Sequence, residues 1–426
     1  MVYLSKSILR GEVEISGSKN AFFPAVGAGI TLGAKKITIK NTPLVRDIYV
    51  MLKIIEELGG NFEIEGNKVS IYTEKIEPKL IDQETFSRIR GGVVIFGALL
   101  SRFGKAYIPY PGGCKIGKRP IDQHVKAAKD LGFYVEETEY GVKAYGEIKK
   151  NKISFDIKTV TGTENAILMS IRSSKEVEIT NYAKEPEVQE LIKYLEKYGV
   201  RFIKEEDKII IDPTSKEEQE EVEFELIPDR IEAGTFLISA ASTEGRVRIK
   251  NVIPEHLEIV IQKLKEAGAK IHISQSEIEV EGKPIYDPLY IVADSYPDFA
   301  TDLQPQITVM LLKSKSKSVI EERVFPERVN HVFELRKMGA QIDISGNKII
   351  IYPGKIYGGT SVEAKDLRSA ASLVIAGLIA EGAPTFIRNF EIIERGYEKF
   401  LVKIQKLGAK FYKELKEGIK DVPNFA

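Results

Sequence analysis

The loop at residues 111–120, PGGCKIGKRP, holds the one cysteine of the chain, Cys114. Gly112 and Gly113 let its backbone reach conformations closed to other residues. Lys115, Lys118 and Arg119 surround the thiol with positive charge, which favours the thiolate. A lone cysteine is more often a small buried hydrophobe, but this basic, glycine-rich setting reads as a reactive thiol. Proton donor, nucleophile and redox sensor all remain open from the residues alone. Gly112 to Lys118 also fits G-x-x-x-x-G-K. A phosphate loop then needs Ser or Thr to hold magnesium, and Arg119 and Pro120 stand there instead, which excludes a nucleoside triphosphatase. A Cys114–His124 hydrolase pair lacks an orienting partner nearby, and His124 reads as the start of a helix, IDQHVKAAKDLG.

A second set of reactive side chains stands at the starts of largely apolar runs that read as buried helices. It comprises Lys19 with Asn20, Arg90, Glu164 with Asn165, Arg230 with Glu232, Asp302, and Arg368. A cation at a helix start is unfavourable, because that end is already positive. Four at equivalent places point to a shared anionic ligand, since helix N-termini bind phosphates and carboxylates. The bland alternatives are repeat architecture, solvated arginines and, for Asp302, a plain N-cap.

The elements that must position these groups repeat six times. Amphipathic helices end at Gly59, Gly132, Gly199, Gly268, Gly339 and Gly408, spaced by about 70 residues. Each glycine leads into a strand, a tight turn such as Gly66-Asn67 or Gly346-Asn347, and a second strand. Six runs rich in Ala, Gly and Leu lack a polar face and read as buried helices. Three such units make about 200 residues, an ordinary domain. The charged stretch TSKEEQEEVEFELIPDR places a junction near residues 213–229.

Composition closes off other classes. Lys plus Arg and Asp plus Glu are 62 each, so the net charge is zero and a nucleic-acid-coating protein is excluded. A single cysteine allows no disulfide within the chain and fits a reducing cytoplasm. There is no signal-type apolar core at the start and no membrane-length apolar run. Four scattered histidines argue against a structural zinc site, and no metal or cofactor is expected.

The segments GEVEISGSKNAFFP, PGGCKIGKRPIDQHV, KEPEV, IPDRIEAGTFL, FATDLQPQ, DLRSAASLVIAGLIAEG and IERGYEKF follow one another over nearly the whole chain. In this order they resemble the UDP-N-acetylglucosamine 1-carboxyvinyltransferases. The cysteine loop and RGYE separate this group from its shikimate-pathway relative. SGSKN, FATDLQ and RIRGG depart from the commoner forms without removing a reactive side chain.

The resemblance implies an α/β fold of two inside-out barrel domains, each of three repeats, with buried helices and outward sheets. It implies one domain at 19–228 and another formed by 1–18 and 229–426, with the active site in the cleft between them. The implied reaction moves the enolpyruvyl group of phosphoenolpyruvate to the sugar 3-hydroxyl of UDP-N-acetylglucosamine, by addition and elimination. Cys114 and Asp302 match the catalytic positions. Lys19, Asn20, Arg119, Arg368 and Arg395 match phosphoenolpyruvate-binding positions. Arg90, Pro120, Ile121, Asp122, Gln123, Lys158, Thr161, Gly162, Asp302 and Val324 match nucleotide-sugar positions. Arg328 lies near the substrate, and Glu187 has a supporting place. Both substrates are small anions, and neither nucleic acid nor membrane is an expected partner. Cations facing one another across a cleft should repel, holding it open until the anionic nucleotide sugar arrives. A shikimate-phosphate transferase and a non-catalytic nucleotide-sugar binder are the competing readings. Intact Lys19, Cys114, Asp302 and Arg395 argue against the second.

Overall fold

The computed structural model describes residues 1–112, 120–216 and 219–413. Cys114 and Arg119 therefore lie outside the described residues.

Six helices with almost no exposed side chain form the interior. In the first half they are Lys19–Leu32, Val94–Phe103 and Val160–Ser170. In the second they are Arg230–Ser242, Gln304–Leu311 and Leu367–Ile379. Small residues let them approach closely. A Cβ on Gly27 would sit 2.6 Å from Leu168, and one on Gly97 would sit 2.4 Å from Asn165 Oδ1. One apolar core runs from Ala21 to Ile227. A separate one combines Val2 to Ile15 with Ile231 to Ala409.

Six sheets surround these helices, giving the inside-out α/β arrangement of helices within and strands outside. Each unit has a strand, an amphipathic helix and a hairpin. In the first, Lys36–Lys40 pairs antiparallel with Lys68–Tyr72, which pairs antiparallel with Asn61–Glu65. The six glycines after the amphipathic helices all take the left-handed conformation, with φ of 102°, 98°, 84°, 96°, 96° and 95° in chain order. Only glycine enters that region at little cost, so the repeated residue follows from the repeated helix stop.

Five sheets also carry a fourth strand parallel to the first strand of the unit. The sheet built on Lys105–Pro109 has three strands among the described residues. Where the chain passes between the two cores, these fourth strands are exchanged. Arg10–Glu14 lies parallel on Arg246–Lys250, and Glu221–Glu225 lies parallel on Lys36–Lys40. The two crossing segments run side by side through an antiparallel bridge between Gly17 and Pro228. Val2–Ser5 fills the last sheet, between Thr385–Arg388 and Lys410–Lys413.

Two local expectations need correction. Glu164 and Asn165 do not start their helix, which begins at Val160 behind the N-cap Thr159. Asp302 does not cap the helix Gln304–Leu311; it lies in the 3-10 turn Thr301–Leu303 before it.

Candidate active site

Three of the cations at helix starts follow a residue whose side-chain oxygen caps the helix. Ser18 precedes Lys19, Asp229 precedes Arg230, and Asp366 caps the helix that carries Arg368. These oxygens accept the first free N–H groups and offset the penalty of a cation at a positive helix end.

Each of these cations also meets a carboxylate. Lys19 Nζ lies 3.0 Å from Asp47 Oδ2. Arg230 Nε lies 3.2 Å from Glu187 Oε1. Arg368 Nη2 lies 2.6 Å from Asp302 Oδ2, and Arg328 Nη1 lies 2.7 Å from Asp302 Oδ1. Burial alone would raise the Asp302 pKa. Arg368 and Arg328 outweigh it and hold the carboxyl well below the usual carboxylate range. Asp302 is thus a fixed anion with one side chain on each flank. The ring of Tyr397 covers Arg368, with its centroid 5.3 Å from the guanidinium carbon.

Several of these contacts join the two cores. Arg395 donates from Nε to Asp47 Oδ1 at 2.9 Å and from Nη2 to the Arg88 carbonyl at 2.9 Å. Arg46 pairs with Glu394 at 2.7 Å, and the Leu44 N–H donates to Glu398 at 2.9 Å. The Tyr296 N–H donates to Glu185 at 3.2 Å. Cations of one core therefore face carboxylates of the other. The repulsion expected between opposed cations is not how this junction is built.

Glu164 is buried close to Glu185 and Glu187. Burial, then the charges of Glu187 and Glu185, push its carboxyl well above the usual range. Burial raises Glu185 as well, against the pull of Arg230. Asn165 serves the fold: its Oδ1 accepts the Gly97 N–H at 2.7 Å, and its Nδ2 donates to the Val93 carbonyl at 2.9 Å. The same Nδ2 lies 2.7 Å from His124 Nδ1, and Thr161 Oγ1 lies 3.3 Å from His124 Nε2. Burial, with a lesser push from Arg90, lowers the His124 pKa to about 3, so this imidazole is neutral and held inside one core.

Full-length likeness now decides the family. UDP-N-acetylglucosamine 1-carboxyvinyltransferase 1 of Carboxydothermus hydrogenoformans is 39% identical over 402 residues, 94% of this chain and 95% of the relative. The enzyme of the same name from Thermotoga petrophila is 37% identical over 414 residues, 96% of this chain and 97% of the relative. This chain belongs to the UDP-N-acetylglucosamine 1-carboxyvinyltransferase family. The broader family model described as EPSP synthase (3-phosphoshikimate 1-carboxyvinyltransferase) matches residues 5–404. The crystal structure of the enolpyruvyl transferase NikO from Streptomyces tendae has the same fold. It superposes with a TM-score of 0.85 at 21% identity, over 96% of this chain and 98% of that one.

Most of the site residues expected for this family fall into three groups. Lys19 and Arg395 meet at Asp47. Asp302 meets Arg368 and Arg328, and the Val324 N–H donates to Glu322, whose other oxygen accepts from Thr301 beside Asp302. Arg90 donates to the Pro120 carbonyl at 2.7 Å, next to Ile121, Asp122 and Gln123 at the start of helix Asp122–Leu131. Thr161 and Gly162 open the helix Val160–Ser170, near Gln123 through His124, while Lys158 is exposed just before it. Asn20 is half-buried beside Lys19.

Sequence reasoning missed Asp47. In VRDIYV it reads as an ordinary acid in the first turn of a helix, Arg46–Glu57. Nothing local connects it to Arg395, 348 positions away.

Proposed function

We propose that the chain transfers the enolpyruvyl group of phosphoenolpyruvate to the 3-hydroxyl of UDP-N-acetylglucosamine and releases phosphate. This is the first committed step of peptidoglycan synthesis, carried out in the cytoplasm. Residues 19–228 form one domain, and residues 1–18 with 229–426 form the other. The substrates bind at their junction, and no metal or cofactor takes part.

The observation that carries this reading is the meeting of Lys19 and Arg395. They belong to different cores and share one carboxylate. The Asp302–Arg368 pair is linked to them through Tyr397, which belongs to the same RGYE segment as Arg395. A structural salt link would not need two cations from two domains on one carboxylate.

In the reaction, a bond forms between the sugar O3 and C2 of phosphoenolpyruvate, while C3 gains a proton. C3 then loses a proton, which departs on the phosphate as the C2–O bond breaks. Asp302 accepts the O3 proton. Its two arginines keep its lone pairs available at any physiological pH and also lower its proton affinity. Proton transfer therefore accompanies C–O bond formation rather than preceding it. Cys114 supplies the proton to C3. Lys19, Asn20, Arg119, Arg368 and Arg395 hold the phosphate and carboxylate of phosphoenolpyruvate. Arg suits this because its fork makes paired hydrogen bonds. Arg90, Pro120 to Gln123, Lys158, Thr161, Gly162 and Val324 line the nucleotide sugar.

The test is phosphate release from phosphoenolpyruvate with two acceptors in parallel, UDP-N-acetylglucosamine and shikimate 3-phosphate. Release with the nucleotide sugar alone is expected. Release with shikimate 3-phosphate alone would reassign the acceptor. Tight nucleotide-sugar binding with no release from either would make the chain a binder.

A further inference from the structure

We infer that Asp47 is a positioning residue for the anion site: its carboxylate gathers the Lys19 ammonium and the Arg395 guanidinium, one from each core, into the pair that receives the substrate phosphate. The inference rests on the function proposed above and adds a residue to it.

Asp47 is 5% exposed, on the first turn of a helix whose exposed neighbour Arg46 pairs with Glu394. Its two oxygens together hold both cations. Oδ2 takes Lys19 Nζ at 3.0 Å, and Oδ1 takes Arg395 Nε at 2.9 Å, with Arg395 Nη2 at 3.5 Å from Oδ2. The side chains of Lys19 and Arg395 are only 11% and 18% exposed, so water screens them poorly. Two such cations repel when nothing lies between them, and the Arg395 side chain would then turn away from Lys19. With Asp47 between them the triad keeps a net positive charge. An ammonium has three donors and a guanidinium five, so both groups have donors beyond those directed at Asp47. The flanking Arg46–Glu394 and Leu44–Glu398 contacts hold the same two segments together without touching Lys19. They supply cohesion; Asp47 supplies the placement of charge.

The test uses the full chain with Asp47→Asn and Asp47→Glu. Asn keeps the shape but has one oxygen and no charge, so the contact made by the other oxygen is lost and the two cations are no longer neutralised between them. In Asp47→Asn the KM for phosphoenolpyruvate should rise about tenfold. Inhibition by inorganic phosphate should weaken in parallel, while the KM for UDP-N-acetylglucosamine stays within about twofold. Asp47→Glu should recover part of the loss. In an Arg395→Gln background, Asp47→Asn should add little, because the partner is already gone. An unchanged KM for phosphoenolpyruvate would overturn the inference. So would equal rises in both KM values with a lowered Tm, which would mark Asp47 as a structural link only. If wild-type protein releases no phosphate, the proposed function fails by itself. The Asp47 inference is then decided by calorimetry with inorganic phosphate alone: weaker binding to Asp47→Asn at unchanged Tm sustains it, and equal binding ends it.

Discussion

Arg368 and Asp302 are joined at 2.6 Å, and Arg328 holds the opposite carboxylate oxygen at 2.7 Å. The pairing fixes both the direction and the ionisation of Asp302. Replacing Asp302 by Asn should lower kcat by about a hundredfold or more, the usual range for a lost proton acceptor. Binding of UDP-N-acetylglucosamine, read by calorimetry, should survive.

The same geometry gives a pH prediction. Burial is the largest influence on Asp302 and acts upward, with the two arginines outweighing it. Arg328→Gln removes one of them and should raise the proton affinity of Asp302. The acid limb of the kcat/KM profile should then move to higher pH. A profile identical to wild type would separate Asp302 from the titration that governs turnover.

His124 and His331 should remain neutral well into acid. Burial comes first in both, and each has a pKa of about 3 against an ordinary value of 6.5. The unfolded chain therefore takes up these protons before the folded one. Their contribution to stability is whole above pH 6.5 and is lost as the pH falls toward 3. Each loss reaches on the order of 4 kcal/mol at pH 3. NMR of 15N-labelled imidazoles should show both rings unmoved between pH 8 and pH 5.

Arg230 and Glu187 form a nearly buried pair across the two cores, with side chains 13% and 3% exposed. Glu187→Gln leaves Arg230 near Glu185 but without its main partner. A loss of about 3 kcal/mol in urea unfolding is expected, as for other broken buried pairs. A change under about 1 kcal/mol would mean that Glu185 takes over the guanidinium.

Gly17 sits where the chain first crosses between the cores. A Cβ there would lie 1.7 Å from the Asn41 carbonyl oxygen and 2.9 Å from its carbon. These are backbone atoms, so the connector must shift. Gly17→Ala should lower stability by about 1–3 kcal/mol and weaken the Gly17–Pro228 bridge. Denaturant unfolding with hydrogen exchange at Ser18 measures both.

Repeats and buried helices were legible in the sequence because each answers to one local rule. The left-handed helix stop demands glycine, and helices enclosed on all sides lack a polar face, as in KDLRSAASLVIAGLIAEG. The helix start at Val160 was misread because the apolar run begins after Asn165, while the cap, Thr159, lies outside it. Asp302 looked like a cap because an acid before an apolar helix usually is one; here two distant arginines claim it. Asp47 was invisible for the same reason. Its partners come from residue 19 and residue 395, and no local pattern encodes a meeting between them. Asp302, Glu187 and the basic residues can be named from the sequence, but which acid holds which cation cannot.

The strand Val2–Ser5 finds its partners only at Thr385–Arg388 and Lys410–Lys413. On a ribosome it emerges well before either and waits for both. At about 5–20 residues per second, that delay is on the order of half a minute. Meanwhile the core from Ala21 to Ile227 has all its sequence available and can close first. A circular permutant that carries residues 1–18 after Ala426 would remove the wait, and its last sheet should gain protease resistance sooner after synthesis.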